Sequence, residues 1–127
     1  MFAIFIKLIC VALITYLLEL PVTIIMLHKY YKKSFINVVT LLVNVCTNIV
    51  LNGVILPILY LNNIEQVIIN YCIIVIEVLI VIVEFGIYVA IFKNKIKISK
   101  LFIMSLIANI ISYSTGLIWN YIKQIIS

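Results

Sequence analysis

Arginine is absent from this chain, and charge of either sign is scarce. Charged residues fill 10% of the 127 positions, against 67% apolar. A soluble domain devotes about a quarter of its residues to charge, so the deficit leaves no room for one. The three cysteines, Cys10, Cys46 and Cys72, form no CxxC pair and have no histidine nearby, which excludes zinc-finger and thioredoxin-like readings. They lie inside apolar runs, where a free thiol is expected to pack as a small hydrophobe. GxSxG, HExxH and a glycine-rich phosphate loop are missing, and no nucleophile sits near a base at a recognisable spacing. Enzymatic work is thereby narrowed to acid–base chemistry by carboxyl groups on a lipid substrate. No cofactor and no resident metal is expected. Abundant lysine, isoleucine and asparagine beside absent arginine is what an AT-rich genome produces, so the placement of asparagines carries information and their number does not.

What is present is four long apolar runs, at about 7–27, 35–60, 66–92 and 101–122. Each is long enough for the roughly 30 Å of a bilayer's hydrocarbon. The expected fold is all-α, one integral membrane domain over residues 1–127, built as an antiparallel bundle of four transmembrane helices. The net charge of +5 reads as a topology signal rather than a nucleic-acid one, because lysines gather in the breaks at 28–34 and 93–100. Those breaks are expected to be cytoplasmic, giving an N-out/C-out chain in a bacterial inner (cytoplasmic) membrane, with Lys7 and Lys123 outside. An uncharged start, no small-x-small site and an interrupting Glu19 argue against a cleaved signal peptide. Tyr30, Tyr31, Trp119 and Tyr121 are placed as interfacial anchors. Ser34 and Ser99 are candidate helix caps, and Asn63 with Gln66 resembles a capping box. Pro21 should free the carbonyl of Leu17 and kink the helix near Glu19, and Gly53 and Pro57 should loosen the end of the second run. No internal repeat is evident on this reading.

Polar residues inside these runs carry the functional signal. The third run holds Glu77 and Glu84, about two helical turns apart and so on one face, roughly 10 Å along the axis. In projection that face includes Tyr88 and opposes Leu79, Val83 and Phe92. The second run carries Asn37, Asn44, Asn48 and Asn52 at helical spacing, and the fourth Ser105, Asn109, Ser112 and Gly116. Taking each run's middle as the bilayer centre places Glu19, Asn48, Glu77, Asn109 and Ser112 at one level. Thr23, Asn44, Glu84 and Ser105 form a second layer towards the lysine-rich side, and Thr15 and Asn52 continue the first outward. Asparagine, serine and threonine at such positions serve equally well as plain interhelical hydrogen bonds. The glutamates need more, because no Lys, Arg or His shares their runs and His28 lies at an edge. Each must hold a proton, face a bound cation or meet a partner's positive charge. The candidate ligand- or cation-binding residues are Glu19, Glu77, Glu84, Asn48, Asn44, Asn109 and Ser112, with no catalytic set.

The stretch TLLVNVCTNIVLNG, residues 40–53, is similar to the second helix of small bacterial fluoride channels, which are also four-span. Their Thr/Phe-rich break in the third helix is replaced here by glutamates. Glu19 looks like the substrate-binding glutamate of small multidrug exporters, whose glycine- and tryptophan-rich third and fourth helices are absent. Neither resemblance carries a function across. The expectation from the residues is a membrane protein that binds or transports a small cationic or proton-coupled solute, as a homo-oligomer or beside another membrane subunit. The alternatives are an accessory subunit of a larger membrane complex and, third, a membrane-embedded enzyme acting on a lipid. Contact with lipid is expected and with nucleic acid is not.

Overall fold

The computed structural model describes residues 2–62 and 64–126, without the side chains of 2–5, 7–8, 52, 56, 60, 119–120, 123–124 and 126. The readings made on Lys7, Asn52, Asn63, Trp119 and Lys123 therefore lie outside what is described. Five α-helices follow one another: α1 (Phe2–Leu27), α2 (Lys33–Asn48), α3 (Leu56–Leu61), α4 (Gln66–Phe92) and α5 (Ile98–Ile126). A π-helical stretch, Ile49–Ile55, joins α2 to α3, so the second span is continuous but changes winding. Pro57 lacks the N–H that would bond one turn back, and its ring crowds that turn's carbonyl. The wider π turn ends two residues before the α-helical Pro57, where Gly53 and Pro57 were expected to loosen the helix. Four helical segments are long and apolar enough to cross a membrane, and there is no strand among the described residues.

Helix starts differ from the sequence expectation. Ser34 and Ser99 fall inside the first turns of α2 and α5. The carbonyls of Lys32 and Lys97 accept the opening bonds, from Ile36 N–H at 3.1 Å and Leu101 N–H at 3.2 Å. No side-chain cap forms on α2 or α4, and the Gln66 amide donates forward to Asn70 Oδ1. The apolar face is so complete that packing, rather than capping, decides where these helices begin. α1 runs unbroken through Pro21, which lies on its exposed side.

α1 packs against α2 and α5, α4 packs against α5, and α2 meets α4 lightly. The tightest core lies at the lysine-rich end, where Leu27, Ile36, Phe92 and Leu101 are fully buried. Tyr31 stands edge-on to Phe92 at 4.8 Å, and Lys95 and Lys100 sit over the rings of Tyr31 and Tyr30 at 5.1 Å. The two lysine-rich turns therefore touch at one end of the bundle. At the other end α3 and α4 diverge, leaving an apolar groove of about 330 Å³ bordered by Ile55, Leu59, Tyr71 and Val75. Phe92 was expected opposite Glu84 but is buried on its side of α4, two turns along, where the aromatic cluster holds it. Leu79 and Val83 do face outward. Cys10 and Cys46 also face outward instead of packing inside, and Cys72 is half-buried. Gly116, expected to admit a close neighbour, is exposed, and a Cβ there would meet nothing.

The two hairpins, α1–α2 and α4–α5, bury matching positions 65 residues apart. Glu19 matches Glu84, Leu27 matches Phe92, Ile36 matches Leu101, Val43 matches Ala108 and Asn44 matches Asn109, every one buried. The turns match too: His28, Tyr30, Tyr31 and Ile36 donate to the same relative carbonyls as Lys93, Lys95, Ile96 and Leu101. This corrects the expectation of no repeat. The match rests on a handful of identical residues, such as Lys32 with Lys97 and Ser34 with Ser99, set among interchangeable aliphatics.

Phe92→Ala is expected to destabilise the detergent-solubilised protein by about 2 kcal/mol. That is the cavity share of a buried-ring truncation, since separated helices in an apolar phase would keep the ring out of water. Val78→Ala, at an exposed site, should shift the thermal midpoint hardly at all. Equal shifts would contradict the packing described.

Candidate functional site

Every polar group in the centre of the bundle is placed by its distance from a turn. Glu19 and Glu84 each precede the end of their helix by about two turns, roughly 12 Å of rise. Asn44 and Asn109 each follow the start of theirs by about three. Antiparallel packing then brings each asparagine level with its own hairpin's glutamate. Asn44 Nδ2 donates to Glu19 Oε2 at 2.9 Å, and Asn109 Nδ2 donates to Glu84 Oε2 at 2.5 Å. Both amides also donate to the carbonyl four residues back, Thr40 and Ser105 respectively. That second bond fixes the amide's orientation, so its oxygen cannot be exchanged for its nitrogen without losing both contacts.

Among the described residues one side-chain hydrogen bond ties the hairpins together at this level: Thr47 Oγ1, which also has the Val43 carbonyl at 3.0 Å, donates to Glu84 Oε1 at 3.0 Å. Below it, Thr40 Oγ1 donates to Thr23 Oγ1 at 3.0 Å, joining α1 to α2. Ser105 Oγ donates to the Val81 carbonyl at 3.3 Å, joining α5 to α4. Glu19 and Glu84 are each only 1% exposed and Asn44 is fully enclosed. Neither glutamate has a cationic partner among the described residues. Glu84 has both oxygens bonded, whereas Glu19 Oε1, Asn44 Oδ1 and the Tyr88 hydroxyl are buried without a hydrogen-bond partner among the described residues.

The sequence-predicted residues divide accordingly. Glu19, Glu84, Asn44 and Asn109 come together. Ser112 is half-buried one turn beyond Asn109 and makes no hydrogen bond among the described residues. The Asn48 amide turns back to the Asn44 carbonyl at 2.9 Å. Glu77 lies two turns away from Glu84, half-buried, and takes no hydrogen bond among the described residues. Asn37 is exposed and accepts a bond from the Tyr16 hydroxyl. Levels drawn through the middles of the runs paired Glu19 with Glu77. The structure instead links Glu19 and Glu84 through adjacent turns of α2, by Asn44 and Thr47, because register is fixed where helices leave the shared turns, and helices of unequal length do not share a midpoint. Thr47 was not singled out from sequence, although it lies one turn beyond Asn44 on the same stripe. Tyr88, fully buried one turn from Glu84, was seen only as sharing the face.

Among the described residues no group of three or more His, Cys, Asp or Glu forms a metal centre. The arrangement offers two carboxyls, two amides and hydroxyls, all oxygen or amide chemistry suited to protons or small cations. No family model, curated protein or solved structure matches this chain.

Removing Glu84 as Ala takes one acceptor each from Thr47 and Asn109, which keep the Val43 and Ser105 carbonyls, and should cost about 1–3 kcal/mol. Glu84→Gln keeps both shape and an acceptor and should cost well under half of that. Thermal unfolding of the two variants in one detergent checks the difference; equal losses would show that the bonds to Glu84 do not hold the bundle.

Proposed function

We propose that this chain is a multi-pass membrane protein that binds and moves a small cationic or proton-coupled solute, with Glu19 and Glu84 as the charge-bearing groups. The observation that carries the reading is a pair of buried carboxyls bonded only by neutral amides and a hydroxyl. In hydrocarbon an unpaired carboxylate is costly, and side chains that only glue helices together need no charge. Asparagine, serine and threonine alone would have sufficed for glue. The lysine-rich turns share one end of the bundle, which fits a cytoplasmic placement of both loops and an N-out/C-out chain. The bacterial inner membrane remains the location proposed, on the composition and the four apolar spans.

A second reading, from a different class, draws on Glu77. It is half-buried, unbonded among the described residues, and flanked by the exposed Ile74, Val75 and Val78. A carboxyl at that position on a span calls for a neighbour, so α4 is the face by which a copy of this chain or a foreign subunit would dock. Glu77 then serves assembly, and the buried pair serves the solute.

Proteoliposomes enclosing a pH-sensitive dye test the first reading. Imposed gradients of Na⁺ or of a small organic ammonium ion should drive proton movement above protein-free vesicles. Glu19→Gln and Glu84→Gln should each reduce it at least about tenfold, equivalent to about 1.4 kcal/mol of lost interaction. Traces indistinguishable from empty vesicles under every gradient would contradict the reading. An intact-assembly mass from native membrane showing a fixed-ratio foreign subunit would favour the second.

A further inference from the structure

The matching of the two hairpins extends into the site, but its hydrogen bonds use only half of it. Within each hairpin an asparagine bonds a glutamate across the same separation in sequence, Asn44 to Glu19 and Asn109 to Glu84. Between hairpins, Thr47 of the first bonds Glu84 of the second. The position matching Thr47 in the second hairpin is Ser112, and the position matching Glu84 in the first is Glu19. Ser112 makes no hydrogen bond among the described residues, and Glu19 Oε1 is the buried carboxylate oxygen without a partner. The unused donor and the unused acceptor are therefore a matched pair.

Three buried polar atoms remain without a hydrogen-bond partner among the described residues, Glu19 Oε1, Asn44 Oδ1 and the Tyr88 hydroxyl, each on a residue at least 99% buried. A single proton on Glu19 accounts for one acceptor, and the Tyr88 hydroxyl, which can donate and accept, adds a further buried oxygen. A hydroxyl that donates to a carboxylate keeps lone pairs free to face a cation. Carboxylate, amide and hydroxyl oxygens without sulfur or imidazole form the donor set of a hard cation. We propose that the chain is a tandem of two equivalent helical hairpins, and that one hard, oxygen-coordinated cation binds between Glu19 and Glu84. Ser112 closes on Glu19 as Thr47 already closes on Glu84. Na⁺ and Ca²⁺ share this chemistry. The proposal rests on the cation-binding reading above and deepens it by naming the ligand chemistry and a further ligand-binding residue. Glu77 has no counterpart, since Ala12 stands at the matching position, so it lies outside the two-fold site.

The test uses the full chain in lipid nanodiscs, titrated with NaCl or CaCl₂ against choline chloride at constant ionic strength, with thermal midpoint and ²³Na line width as readouts. Saturable stabilisation by one of the two salts over choline is expected. Thr47→Ala and Ser112→Ala should each weaken it by a similar factor, about tenfold for one lost hydrogen-bonded ligand. Ser112→Thr should restore it, and Glu77→Gln should leave it unchanged. Wild-type affinity in Ser112→Ala, with Thr47→Ala impaired, would overturn the equivalence of the half-sites. No stabilisation of the parent chain by either salt, with glutamate-dependent proton movement intact in vesicles, would overturn the hard cation and leave the proton-coupled reading standing.

Discussion

Two carboxyl groups buried in one bundle, with no cationic side chain beside them among the described residues, set the terms for the rest of this structure. Glu19 and Glu84 have lost water and have only neutral donors in return. In an apolar surrounding such groups are tolerated only when their oxygens are bonded and their charge is answered. The asparagines, the threonines and the tight turns that set their height all follow from that requirement. So does the division of the bundle into a closely packed lysine-rich half, which fixes the register, and a looser far half.

The arrangement also explains why the hairpin is the unit of this fold. A turn of a few residues leaves two helices antiparallel and in fixed register. Placing a glutamate before the turn and an asparagine after it brings the two level without help from the other hairpin. Contacts between hairpins are then free to differ. The bond from Thr47 to Glu84 is present while its counterpart at Glu19 is not seen among the described residues, so the two halves are alike in frame and differ in their bonds.

Much of this was legible in the sequence. The four apolar runs are the long helices, Glu19, Glu84, Asn44 and Asn109 are among the buried polar residues, and the two lysine-rich breaks are neighbouring turns. Depth was the weak point. Counting from the middle of each run put Glu77 at the centre, whereas counting from the turns puts Glu84 there, and nothing in composition says which ruler to use. The π winding at Ile49–Ile55 depends on how Pro57 and its preceding turn share space, which local patterns do not resolve. The likeness of the hairpins was hidden because Val, Ile, Leu and Met replace one another freely on apolar faces. Only their burial, seen together, brings Val43 into line with Ala108 and Thr40 with Ser105.

The most direct test of the central pair is labelling by an apolar carbodiimide in native-like membranes, with each glutamate's modification followed by mass spectrometry over time. The account predicts rapid labelling of the half-buried Glu77, and slow, similar labelling of Glu19 and Glu84. Labelling of Glu19 or Glu84 as fast as Glu77 would contradict it, since neither carboxyl would then be enclosed by the bundle.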